Sequence, residues 1–162
     1  MSVEITRHEQ TIHFELSEHI EYKDIEYIFD TLTKLLTSKK PFVFLLDGRK
    51  VTTFPTFQAG YYVLSWMRTN YPIIPKRLLG SAIILQNDTI ISILNWVFTQ
   101  QKPVSPNLIT NDITKGKEFI EKFAKKSKKN IAVMQEQCLM YQSNANETSE
   151  GLLERKKEGV TF

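Results

Sequence analysis

The chain has 162 residues, 41% of them hydrophobic, 11% aromatic and 24% charged, with six glycines, six prolines and one cysteine. That is long enough for one well-buried core, and it excludes a collagen-like chain, a disulfide scaffold and a chain disordered throughout. The formal charge of +3 hides an uneven distribution: residues 1–38 carry −5, residues 39–130 carry +10 and residues 131–162 carry −2, which predicts a polarised surface.

Val3 and Ile5, then Ile12, Phe14 and Leu16, alternate with polar neighbours across the link Arg7 to Gln10. This period of two predicts a hairpin. Residues 21–37 change period: Ile25, Ile28, Phe29, Leu32, Leu35 and Leu36 fall at helical spacing, with Glu21, Asp24 and Glu26 in the first turns and Lys39-Lys40-Pro41 at the end. Phe42-Val43-Phe44-Leu45-Leu46, closed by Asp47-Gly48, reads as a strand buried on both faces.

A helix is predicted over residues 56–69, with Tyr61, Tyr62, Leu64, Ser65 and Met67 around Gly60, and Tyr71-Pro72-Ile73-Ile74-Pro75 breaks it. Ser81 to Leu85 is a second buried strand. Asn87, Asp88 or Thr89 caps a helix over residues 89–100, and Lys102 to Pro106 is a stiff loop. Asn107 to Thr110 is a short strand and Thr114 to Lys126 a last helix buried along Phe119, Ile120 and Phe123.

After the hairpin, strands alternate with helices. The expected fold is α/β: a mixed, largely parallel sheet of four to five strands with an antiparallel edge and about four helices. Residues 1–130 are expected to form the domain and 131–162 an appendage, helix or strand over 131–142 and flexible from about 143.

The N-terminus Met1-Ser2-Val3-Glu4-Ile5 lacks an apolar h-region, no run approaches the ~18 apolar residues of a membrane span, and the C-terminus offers no prenylation cysteine. The expected location is cytoplasmic. The lone Cys138 forms no internal disulfide and reads as an inert thiol.

Catalytic constellations are missing from the pattern. His8, His13 and His19 all lie near the start, with no Cys-x-x-Cys and no His-x-x-x-His, so no metal site and no cofactor are expected; His13 reads as an exposed strand residue. Thr114-Lys115-Gly116-Lys117-Glu118 lacks the upstream glycine and following Ser/Thr of a phosphate loop. Gly-x-Gly-x-x-Gly and Gly-x-Ser-x-Gly are absent. Lys122, Lys125, Lys126, Lys128 and Lys129 form a basic helix end. It reads as a solvated face, with an acidic lipid headgroup or an acidic protein as the alternative contact and nucleic acid not expected, since no aromatics are interleaved.

Three stretches carry a family resemblance. Phe44-Leu45-Leu46-Asp47-Gly48-Arg49-Lys50-Val51-Thr52-Thr53-Phe54-Pro55-Thr56 resembles the strand of a STAS domain that ends in aspartate and loops into the next helix. Tyr71-Pro72, Arg77-Leu78 and Ile83-Ile84-Leu85-Gln86-Asn87 are similar to the CRAL-TRIO stretch that runs from a Tyr-Pro break into a buried strand. Lys102-Pro103 resembles a Lys-Pro pair of that lipid-binding fold.

The STAS resemblance implies a SpoIIAA-like fold and a non-enzymatic module that binds a protein partner through Asp47, Arg49, Lys50, Thr52, Thr53 and Thr56. The phospho-acceptor serine of STAS switch proteins falls on Phe57, with Thr56 beside it. Each threonine otherwise reads as an N-cap or a local turn, and Asp47 as the maker of its own turn. The CRAL-TRIO resemblance implies the alternative, a small lipid or hydrophobic-ligand binder with Ile90, Ile91, Leu94, Val97 and Phe98 lining a pocket. An amphipathic helix packed on the sheet accounts for the same residues, and Trp66 and Trp96 read as core or core edge.

Overall fold

The structure, a computed structural model, describes residues 2–125. The expectations for 131–142, for the tail from 143, for Cys138 and for Lys126, Lys128 and Lys129 lie outside these residues.

Two strands, β1 (Val3–His8) and β2 (Thr11–Leu16), form the antiparallel hairpin, with Glu9 at φ 54° in its turn. Helix α1 (Tyr22–Thr37) begins where the Glu21 backbone N–H donates to the Asp24 carboxylate at 2.8 Å. It ends at Ser38, with Lys39 in the left-handed region at φ 63°. Strand β3 (Phe42–Gly48) follows, then α2 (Thr56–Asn70), a short α3 (Ile74–Arg77), β4 (Leu78–Leu85), α4 (Asp88–Gln100) and β5 (Asn107–Thr110). A fifth helix, α5, runs from residue 113 to 125, the last described.

The sheet order is β1-β2-β3-β4-β5, identical to the chain order, and every pair after the hairpin is parallel. Three crossovers of one hand and one direction set their helices on one face. Accordingly α1, α2, α3 and α4 share a core with Ile12, Phe14 and Leu16 of β2 and Phe42 and Phe44 of β3. The opposite side chains of β3 and β4, namely Val43, Leu45, Ala82 and Ile84, form a second core with Ile120 of α5. This two-faced burial is why β3 reads as an unbroken apolar run. Over β1 and β2 the second face is polar, carrying Glu4, Thr6, His8, Thr11, His13 and Glu15.

Aromatic rings join α1 to α2. Phe29 meets Trp66 at 4.9 Å and Tyr62 at 5.8 Å, and Trp66 Nε1 donates to Thr33 Oγ1 at 2.9 Å, which gives the buried indole N–H its partner. Gly60 lets α4 close onto α2: a Cβ there would stand 3.1 Å from Ile93 Cγ2.

Several expectations change. The break at Tyr71–Pro75 leads into α3, which starts at Ile74, because a proline in a first helical turn gives up no needed N–H. The second buried strand starts at Leu78 rather than Ser81, with a register shift opposite Phe42/Val43. Of the candidate caps on α4, Asn87 takes the role, its side chain accepting from Thr89 and Ile90 N–H. Trp66 is core edge, but Trp96 is 41% exposed. His13 is half-buried rather than exposed, its Nε2 shielded and without a hydrogen-bond partner.

The basic excess does not gather on one face. Lys115, Lys117, Lys122 and Lys125 ride on α5, whereas Arg68, Lys76, Arg77 and Lys102 belong to the opposite helical layer. Among the described residues no helix is long and apolar enough to cross a membrane.

Candidate functional site

The carboxyl end of the parallel strands gathers the segments 17–21, 49–55, 86–87 and 111–112 and the N-termini of α1, α2, α4 and α5. Strand β3 delivers Asp47 to this edge, its side chain only 10% exposed. Arg49 Nε and Nη2 donate to Asp47 Oδ1 and Oδ2 at 2.9 and 2.8 Å, and the Arg49 backbone N–H adds a bond at 3.2 Å. The aspartate thus makes its own turn and grips the arginine as a two-pronged, charge-assisted pair. Beside it Lys50 Nζ donates to Glu15 Oε1 at 3.0 Å. With Leu16 and Gln86 these four residues line a recess in which each charge has a partner.

The threonines do not work as local caps. Thr52 Oγ1 donates to the Glu18 carbonyl at 3.1 Å, and His19 Nδ1 and Thr53 Oγ1 are 2.8 Å apart. Backbone N–H groups of Thr52 and Thr53 both donate to Glu18 O, and Ile20 N–H returns a bond to Thr53 O at 3.0 Å. The two loops are laced together across 34 residues of sequence. Thr56 sits in the first turn of α2, whose N-cap position is Pro55. The structure therefore brings Asp47, Arg49, Lys50, Thr52 and Thr53 into one ledge and puts Thr56 at its margin.

Sequence reasoning missed Glu15, Glu18 and His19, which lie on the far loop and strand, and read Phe57 only as the position matching the phospho-acceptor serine. At 80% exposure Phe57 is the most exposed of the large hydrophobic residues described, one residue into α2 from the ledge. Helical spacing gave no signal for Phe57: it is seven residues from the buried Leu64, on the same side of α2, and lies in the first turn of that helix.

Arg49 holds the Asp47 carboxyl below the usual carboxylate range, chiefly through its side-chain hydrogen bonds, against the opposing effect of burial. Such a group binds fewer protons folded than unfolded. Its stabilisation is complete above the unfolded value of about 3.9 and is lost as pH falls through the lowered folded value. Asp47→Asn should therefore lose stability relative to the wild type at neutral pH, with the deficit vanishing in acid. Urea titrations at stepped pH measure it, and a deficit independent of pH would show that the carboxylate charge is not the source.

A second concavity lies inside the helical layer. It has a volume of about 150 Å³ and apolar walls from α1, α2, β3, β4 and α4. Ile90, Leu94, Val97 and Phe98 line it, with Ile93 as well; Ile91 does not, and packs against the first core instead.

No family model and no curated protein matches the chain. Among solved structures it is similar to an uncharacterised protein of the DUF3478 family with a SpoIIAA-like fold from Shewanella loihica PV-4. Identity is 16%, the TM-score is 0.50, and the match covers 73% of this chain and 91% of that one. The chain has a SpoIIAA-like fold. In this SpoIIAA-like domain chain order and sheet order coincide, so the strand order never reverses. The crevice that opens in doubly wound sheets where crossovers diverge is therefore not built. Its strand-end edge is a laced ledge. Among the described residues no group of three or more His, Cys, Asp or Glu is placed to hold a metal ion.

Proposed function

We propose that this chain is a non-enzymatic regulatory module that presents the strand-end ledge, Asp47 to Gln58 with the 17–20 loop, to a protein partner. The observation that carries the reading is the lacing of the two loops beside Phe57. A preordered backbone and an exposed ring reduce the ordering cost of association and supply an aromatic anchor. The internally paired Arg49 and Lys50 fit a surface that is finished as a shape, with its cations already held by Asp47 and Glu15.

Affinity capture from native lysate tests it. Phe57→Ser should weaken partner capture at least tenfold, about 1.4 kcal/mol, while leaving stability within about 0.5 kcal/mol as for an ordinary surface change. The double variant Arg49→Glu/Lys50→Glu should also lose the partner. Capture of the same partners by both variants would discard this surface.

The cavity favours a second reading, a small lipid or hydrophobic-ligand binding protein, through Ile90, Leu94, Val97 and Phe98. Native mass spectrometry separates the two: a co-purifying lipid or other apolar molecule supports the second, and a clean apo mass from several expression hosts counts against it.

A further inference from the structure

The cavity carries more information than its apolar walls. Its floor is the helix-facing side of β4 and β5, where Ser81 stands opposite Asn107 in register. Asn107 Nδ2 donates to Ser81 Oγ at 2.7 Å. Ser105, two residues before Asn107, also lines the cavity, and its hydroxyl oxygen is sealed from solvent with no hydrogen-bond partner. A hydroxyl left in that condition costs stability, and most buried polar groups avoid it. Ser81, Ser105 and Asn107 thus bring three polar groups to a space lined mainly by Ile, Leu, Val, Phe, Met and Trp.

The lining residues that reach solvent mark the mouth. Tyr71, Lys102 and Pro103 are exposed, and they lie at the C-terminal ends of α2 and α4. The loop that carries Lys102 leads through Ser105 into β5, so the polar spot lies close to the mouth and the apolar walls run inward from it.

Size restricts the occupant. A cavity of about 150 Å³ with Leu, Ile and Phe walls takes a benzene-sized molecule, and drug-sized ligands occupy about 300–1,000 Å³. Resting on the ligand-binding reading, we infer that this cavity is a site for a compact, ring-sized apolar molecule bearing one hydrogen-bonding group, held by Ser105 at the mouth end, rather than for a long acyl chain. Nothing in this inference depends on the strand-end ledge.

The probes are benzyl alcohol, toluene and palmitate, added to the full-length protein. Methyl-resolved NMR titration should place benzyl alcohol shifts on Ile83, Leu94 and Val97, and the melting temperature should rise with concentration. Ser105→Ala should weaken benzyl alcohol about 3- to 10-fold, the worth of one hydrogen bond, and leave toluene within twofold. Because that substitution removes an unpartnered hydroxyl, the variant should fold at least as well as the wild type. Leu94→Trp should block both small probes by filling the space, and the wild-type shift map locates the site independently should that variant fail to fold.

Equal weakening of alcohol and toluene by Ser105→Ala would overturn the polar end. Palmitate binding more tightly than benzyl alcohol would overturn the size class while sustaining a hydrophobic-ligand protein. No saturable shift from any of the three probes would overturn both.

Discussion

Phe14→Ala is expected to lower the unfolding free energy by about 3–5 kcal/mol, the range for emptying an aromatic site in a core. Phe14 is fully buried at the centre of β2, and its ring meets Phe44 of β3 edge-on at 5.9 Å. Its cross-strand neighbours are Ile5 and Leu46. Removal of the ring takes away the transfer term and leaves a void that the sheet cannot close, since strands on both sides fix the backbone. Domains of ordinary stability have about 5–15 kcal/mol to lose, so this one substitution consumes a large share. The measurement is urea unfolding with the slope preserved. A loss below about 1 kcal/mol, the level of a typical point change, would mean that this core contact is not made.

The second large effect is expected where α5 seats on the sheet. A glycine-to-alanine change inside a helix ordinarily gains up to about 1 kcal/mol. At Gly116 the sign should reverse. A Cβ at this position overlaps Ile84 Cδ1 and stands 3.5 Å from Ala82 Cβ, and both partners are fully buried in strand β4. Gly116→Ala should therefore destabilise, and Gly116→Val should cost about 1–3 kcal/mol as an overpacked core does. The damage should be local. Amide exchange should accelerate across residues 113–125 before it does in β2 and β3. A stabilised Gly116→Ala variant would show that α5 does not approach the sheet this closely. The glycine inside Thr114-Lys115-Gly116-Lys117-Glu118 is thus required by packing, and the helix cap beside it is Asp112, which accepts from Thr114 N–H at 2.9 Å.

The parts of this fold that were legible in the sequence are those set by local period. Ile12, Phe14 and Leu16 alternate because one face of β2 is buried; Ile25 to Leu36 recur at helical spacing because α1 covers that face. Phe42 to Leu46 is continuous because both faces are covered. The start of β4 was hidden because Leu78-Leu79-Gly80 follows Pro75 and carries a glycine, and local propensity treats both as breaks. That glycine is needed because Phe123 of α5 lies 3.0 Å from where its Cβ would be, a contact 43 residues away that no window of sequence reports.

The site divides in the same manner. Asp47 at a strand end before Gly48 is a local signal, and it holds. The partners that define the ledge are not local: Glu15 for Lys50, Glu18 for Thr52, His19 for Thr53. Arg49 and Lys50 read as available cations until these long-range pairs are known. Trp96 failed for the converse reason. Hydrophobic identity placed it at the core, whereas helix phase turns it outward, where its ring meets that of Tyr61 at 5.6 Å.

The coincidence of chain order and sheet order also bears on how the domain is made. During synthesis each parallel strand emerges after the strand it must pair with, together with the helix that links them. The sheet can grow by addition at one edge, with no early strand held open for a late one to insert between its neighbours. Loop closure at each step spans only one crossover, which keeps the entropic cost of each addition small. The second face of β3 and β4 is the exception: Val43 and Leu45 wait for Ile120 of α5. An apolar strip therefore stays uncovered on the growing domain until nearly its last described residue has been made, and that interval is when a nascent chain of this kind is most exposed to aggregation.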